Sequence, residues 1–462
     1  MNVFDFFPKL SATRVWLLRA FSSGNLPHSS FYTAPRAIQH DVSSSVSFMT
    51  TPTTALDLSD TPPMPSQTST PTITTTPASA QMPLELILAI VETACTEGTE
   101  EARMDLLTNC SLVCRTWSAA SQRLLFSKVT LRSQRSFELF MSAVDRTIPH
   151  RSSLADAVKH LTVILDHKQP SGLHPNSLAL AVTACPNLRH LGISLYGCAE
   201  PGKDVVGAPD VLRLRRAAPS FDDHTLSLLK SGPAIESLHF DNWSENQQSI
   251  FQLLDIWPSL RFLSISGTPP QHLQDSPPPF PCALRGVRFN FQSSPSADFM
   301  EWLLHNSVTS LKSLHFDRDP SVAVFEYLVN VHGQNLHSIS LPGFGSPALV
   351  PLAAQAKHLR ELRTENPILA SANYAPATFP DEIEHLSFGL DRNTPLASII
   401  DLIKAKDALK TVTAQVWDGG LHHPLFAPLK IACMYRGVDL TVTEDLQVSR
   451  VVRTCDSPKS AW

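Results

Sequence analysis

Two cysteines four residues apart, Cys110 and Cys114, stand in the stretch NCSLVCRTWSAASQRLLF. On a helix that spacing puts the thiols on adjacent turns, and two further ligands would complete a metal site. None is evident nearby, so the pair reads as small hydrophobes packed along a helix. The motif HFD occurs twice, at His239–Asp241 and His315–Asp317. A His/Asp pair serves recognition or acid–base work. On one strand face with no nucleophile fixed beside it, it reads instead as two solvent-facing positions around a buried Phe. His422 and His423 are adjacent without an H-E-x-x-H frame, and GFGSPAL around Ser346 lacks the G-x-S-x-G spacing of a nucleophile elbow. No phosphate-cradling glycine motif is present. The expectation is a chain that is not an enzyme and takes no cofactor and no metal.

The elements around these residues fall into segments. Residues 1–40 carry Lys9, Arg14, Arg19 and Arg36 against Asp5, a basic composition expected of a disordered tail, with mitochondrial import the lesser reading. Residues 41–80 hold 8 Ser, 11 Thr and 6 Pro and no Lys or Arg. Such a stretch buries too little apolar surface to offset its ordering entropy and is expected to be a linker. From residue 81 the pattern changes. MPLELILAIVETA places Leu84, Ile87, Leu88 and Val91 on one helical face behind Pro83. After an acidic loop, Leu106, Cys110, Val113 and Trp117 form a second stripe, and Ser118 to Phe126 a third short helix. About 45 residues make a small core, so a neighbour or partner is expected to complete the unit of residues 81–130.

The stretch from 131 to 445 repeats. The hexamer apolar-x-x-apolar-x-apolar opens at Val158, Leu188, Val211, Ile235, Leu260, Leu284, Leu311, Leu336, Leu359, Ile383 and Leu409, in steps of about 25 residues. Helical patterns lie between, as in SENQQSIFQLLDIW, PSVAVFEYLVNVHG and TPLASIIDLIK, while the prolines of SGTPPQHLQDSPPPFP predict a looped segment. PLFAPLKIACMYRGVDLTVTE reads as a last helix stopped at Gly437 and a last strand, ahead of a tail over 446–462. The asparagine usual at the ninth repeat position is replaced by Tyr196, Trp243, Thr268, Asp319 and Phe344, which predicts irregular turns. One strand–helix unit cannot bury its apolar side alone. Stacked units form an α/β solenoid with parallel strands on a concave face and helices on a convex one.

Net charge is −5 with 17% charged residues, which gives no sign of a nucleic-acid binder. No apolar run reaches the ~20 residues of a membrane span. The eight cysteines are scattered without a C-x-x-C pair, as expected of reduced thiols in the cytosol or nucleus.

MPLELILAIVE followed by LLTNCSLVCRTWSAASQRLLF resembles an F-box, and the chain is similar to fungal F-box proteins with C-terminal leucine-rich repeats. Pro83, Glu85 and Leu86 match the family's opening, and Leu112, Val113, Cys114, Arg115 and Trp117 its second part. Met82 replaces the leading leucine, and the loop between the helices is longer and acidic. The resemblance implies the substrate-recognition subunit of a Skp–cullin–F-box type ubiquitin ligase. Its box would dock on the Skp-type adaptor of the cullin core through Pro83, Leu86, Ile87, Ile90, Leu107, Leu112, Val113 and Trp117. Its repeats would hold a protein substrate. Strand alternation points His239, Asp241, Arg288, Asn290, His315, Asp317, Glu361, Arg363, Glu365 and His385 to the concave side, with His160, His190, Arg213 and Arg215 in the same phase. The alternative is a ligase-independent interaction scaffold.

Overall fold

The computed structural model describes residues 83–95, 100–145, 147, 154–169, 171–197, 218–244, 246–270, 278–343, 349–365, 379–417 and 419–444. The tail, linker and C-terminal segment expected over residues 1–80 and 446–462, and Arg213 and Arg215, lie outside them.

Three helices open the chain: α1 (Leu84–Ala94), α2 (Glu100–Val113) and α3 (Arg115–Leu125). Pro83 accepts the first backbone bonds of α1, from Leu86 N and Ile87 N at 3.1 and 3.2 Å. The second helix does not run through Trp117 as its apolar stripe predicts. Cys114 is extended, with φ −158° and ψ 172°, and ends α2. Ser118 N then bonds to Cys114 O at 2.8 Å, starting α3 on a new axis that packs on both α1 and α2. Tertiary packing overrides the continuous helical pattern here, so Cys110 and Cys114 do not share one helix.

A two-residue turn joins α3 to β1 (Lys128–Leu131), which belongs to the sheet and straddles the expected boundary at 130/131. Strands and helices then alternate: α4 (Gln134–Ala143), β2 (His160–Asp166), α5 (Pro175–Ala184), β3 (His190–Tyr196), α6 (Asp223–Lys230), β4 (Ser237–Trp243), α7 (Gln248–Leu254) and β5 (Phe262–Gly267). β6 (Gly286–Phe291) follows, then α8 (Ala297–Leu304), β7 (Ser313–Phe316), α9 (Val322–His332), β8 (Ser338–Leu341), α10 (Leu349–Ala353) and β9 (Glu361–Thr364). The array closes with β10 (His385–Leu390), α11 (Leu396–Ala405), β11 (Thr411–Val416), α12 (Phe426–Arg436) and β12 (Asp439–Thr443). All twelve strands lie in one parallel sheet in chain order. β1 and β12 each have one neighbour, so the sheet is open.

The repeat hexamer explains the register. Its second apolar residue aligns from strand to strand as Val129, Leu161, Leu191, Leu238, Leu263, Val287, Leu314, Ile339, Leu362, Leu386, Val412 and Leu440. All but Leu440 are buried, each contributing about 1.5–3 kcal/mol of transfer free energy. The helices pack against this side and share one continuous core with it. Polar caps start several of them: the side chains of Asp222, Ser296 and Ser321 accept from Thr225 N, Phe299 N and Val324 N, and Ser133 and Ser136 form a capping box. Gly437, at φ 67°, stops α12 in the left-handed conformation that favours glycine. The described strand–helix repeats thus stack into an open α/β solenoid.

The described strands differ from the sequence reading in one place. FSKVTL, with Phe126, Val129 and Leu131 at the hexamer spacing, is a further repeat core and supplies β1. The repeat expected at Val211 lies outside the described residues, and β3 pairs with β4 at all seven positions, so no strand separates them.

Candidate functional site

Two surfaces carry the residues singled out from the sequence. The first is the N-terminal helical unit. Its own buried core is Ile87, Val91, Leu107, Ala120 and Leu125, separate from the core of the array, with Trp117 packed half-buried against it. Ile87 and Leu107, expected on the surface of the unit, are thus buried within it. Pro83 is exposed, and so are Leu86 (54%), Ile90 (47%), Leu112 (61%) and Val113 (68%). Leu86 and Ile90 are one turn apart on α1 and share a face. Leu112 and Val113 end α2, directly before the break at Cys114.

The second surface is the sheet face opposite the helices. Here adjacent strands bring polar residues 23 to 47 positions apart into contact. Asp241 on β4 accepts from His239 Nε2 at 3.0 Å and from Ser194 Oγ of β3 at 2.9 Å. Burial pushes the Asp241 carboxyl up, but hydrogen bonds from His239, Ser266 and Ser194 outweigh it and hold it below the ordinary carboxylate range.

Three strands along, Asp317 just past β7 takes a forked pair from Arg288 of β6, Nε and a terminal guanidinium nitrogen each at 3.0 Å, and a third bond from His315 Nε2 at 2.8 Å. Burial holds the His315 imidazole below its usual value. The Asp317 carboxyl is lowered too, because the bonds from His315 and Arg288 outweigh its burial. A neutral ring facing a carboxylate that only accepts must carry its proton on Nε2. His315 and Asp317 are 5% and 9% exposed at the side chain. This copy of the HFD motif is thus not solvent-facing as expected; Arg288 of the adjacent strand bonds across it. The copy on β4 is more open, with His239 at 42%.

A third group joins β8 and β9. Glu361 accepts from Ser338 Oγ at 2.8 Å and from Arg363 Nε at 2.7 Å, and both members of this ion pair are buried. Asn290, Glu365 and His385 are partly exposed on the same face. Near β1, the rings of His160 and His190 stack at 4.2 Å and 7°. Burial and the charge of His190 bring His160 down to about 3.

Sequence reasoning passed over one polar device. Asn242 at the end of β4 is buried; its amide donates to Asn246 O at 2.8 Å and its carbonyl accepts from Ser244 N at 3.1 Å and Ser244 Oγ at 2.6 Å. It holds the turn one position earlier than the usual repeat asparagine, which is why the ninth-position count did not find it. Among the described residues, no group of three or more His, Cys, Asp or Glu side chains is placed to hold a metal. None of the described helices is long and apolar enough to cross a membrane. The arrangement offers paired, hydrogen-bonded charges on an open face, the chemistry of a protein-binding scaffold.

No family model and no curated protein sequence matches the chain. Among solved structures it is similar to the crystal structure of a TLR13–ssRNA13 complex, at 12% identity and a TM-score of 0.28. The match covers 63% of this chain and 44% of that one, so the chain spans less than half the length of its structural neighbour. At that score the likeness carries no weight; the repeat architecture rests on the sheet itself.

Proposed function

We propose that the chain is the substrate-recognition subunit of a Skp–cullin–F-box type ubiquitin ligase. The observation that carries this reading is the helical unit: five buried residues form its core, while Leu86, Ile90, Leu112 and Val113 remain exposed at the positions where the sequence resembles an F-box. Apolar side chains held open on so small a unit suit a partner that covers them. The repeat face then holds a protein substrate, and the chain acts by proximity, raising the local concentration of substrate lysines near the charged enzyme. It makes no bond itself. Of the expected docking residues, Pro83, Leu86, Ile90, Leu112 and Val113 form the contact surface, Trp117 contributes its exposed edge, and Ile87 and Leu107 hold the helices in place.

Copurification with a Skp-type adaptor tests this. Wild type is compared with Leu86→Asp/Val113→Asp, which leaves the unit's core intact, and folding is checked by circular dichroism. Adaptor should be retained by wild type and lost from the variant. Retention by a folded variant refutes the docking surface, and absence of adaptor from wild type favours the ligase-independent scaffold.

A further inference from the structure

The residue just before each strand forms a row of its own. Along the array it reads Lys159, Arg189, Glu236, Arg261, Arg285, Lys312, His337, Arg360, Glu384 and Lys410. Backbone bonds make these residues true neighbours: Arg285 N to Arg261 O at 2.6 Å, then Lys312 N to Arg285 O, His337 N to Lys312 O and Arg360 N to His337 O, each at 2.8 Å. Arg261, Arg285, Lys312 and Arg360 are exposed. With strands ~4.8 Å apart, the run from Arg261 to Arg360 extends about 19 Å along the strand-start rim. No acid interrupts it. Glu236 and Glu384 bracket it, and each is engaged by a cation on its far side, Arg189 at 3.2 Å and Lys410 at 2.8 Å. Acids in nearby helix–strand loops are likewise held: Asp255 by Lys230, Asp381 by Lys406 and Asp407 by Arg436. Among the described residues, Arg261, Arg285 and Arg360 make no ion pair.

We propose that this rim binds an extended, carboxylate-rich segment of a partner protein. The cationic run matches about six residues of extended chain at ~3.3 Å each. Just inside it, Gly286, Ser313 and Ser338 open three successive strands, with the Phe262 ring of the preceding strand packed over Gly286. A nucleic acid fits less well. Its phosphates continue past both ends onto Glu236 and Glu384, and alongside the run itself, from β5 to β9, the adjoining row offers one ring for base stacking, that of Phe262. The inference rests on the array being a binding scaffold and is independent of whether the helical unit takes an adaptor.

The test is fluorescence polarisation of the full chain with a labelled octaglutamate peptide, against octaglutamine and an eight-residue oligouridylate. Arg261→Glu/Arg285→Glu/Arg360→Glu is compared with Arg123→Glu/Lys404→Glu/Lys430→Glu, which changes net charge equally on other exposed surfaces. The milder Arg261→Gln/Arg285→Gln/Arg360→Gln serves if charge reversal disturbs folding. Octaglutamate should bind wild type, more weakly as salt rises, and the rim variant should weaken it about 30-fold against less than about threefold for the control. Equal loss in both variants, equal binding of octaglutamine, or no binding to wild type overturns the proposal. Tighter binding of oligouridylate overturns it in favour of a nucleic-acid surface. Adaptor copurification is read separately, so the two proposals fail independently.

Discussion

His332, at the end of α9, is fully buried, and neither ring nitrogen has a hydrogen-bond partner of ordinary geometry. Burial brings its pKa down from 6.5 to about 4, with the Ser307 backbone offsetting part of the effect. The ring is therefore buried neutral, and acid must open the fold to charge it. With an unfolded pKa of 6.5 and a folded value near 4, its stabilising contribution is complete above pH 6.5. That contribution falls as pH drops through the window between the two values, and about 3 kcal/mol is lost in all. Between pH 7.5 and pH 5 the same linkage gives a loss of about 2 kcal/mol. Replacing the imidazole by a ring that cannot protonate removes this slope. His332→Phe should be at least as stable as wild type at neutral pH, because two unsatisfied buried nitrogens are gone. It should exceed wild type by about 2 kcal/mol more at pH 5 than at pH 7.5. Urea denaturation of both proteins at the two pH values measures the difference, and other titrating groups cancel in the comparison. Parallel pH profiles for wild type and variant would show that His332 does not titrate as its burial requires.

Other expectations follow from the same physics. Asp317→Ala strips the partner from both Arg288 and His315 at a site under one-tenth exposed, and should lower unfolding stability by about 2–3 kcal/mol. His239→Ala, in the more open copy of the motif, should change it by less than about 1 kcal/mol; equal effects would mean that the difference in burial is immaterial. Gly267 ends β5 at φ 93°, and an added Cβ would lie 2.0 Å from Asn242 O. Gly267→Ala should therefore destabilise by about 1–3 kcal/mol, measured by the denaturation midpoint, and an unchanged midpoint contradicts the strain.

The solenoid was legible because its signal is redundant. The apolar residues that define the hexamer are the same ones that align across the sheet, so a register shift would expose a whole row of leucines. The one repeat core that was passed over lies where that redundancy thins: FSKVTL satisfies the pattern but abuts a helix, and its step of 32 residues to Val158 is longer than the rest. The break at Cys114 left no local trace, since neither glycine nor proline marks it. Which apolar residues of the helical unit are exposed was half legible. A helical apolar stripe identifies which side chains are greasy but not which side of a three-helix unit they serve, and Ile87 and Leu107 turned inward where Leu86 and Val113 did not.

Polar sites in such an array depend on phase more than on composition. One repeat position recurs about every 25 residues in sequence yet about every 4.8 Å in space, so a modest bias at that position condenses into a continuous surface. The chain as a whole carries −5, a total that conceals the cationic rim because its acids lie at other phases or are already engaged. The same condensation builds the Arg288–His315–Asp317 group from residues that look isolated in sequence. It also separates their roles. Arg288 faces an acid on the neighbouring strand and is consumed within the protein, whereas Arg285, three residues earlier, precedes the strand and stays exposed. Charge at the strand centre therefore stiffens the face; at the strand start Arg189 pairs with Glu236 and Lys410 with Glu384, while Arg261 and Arg285 between them make no ion pair among the described residues.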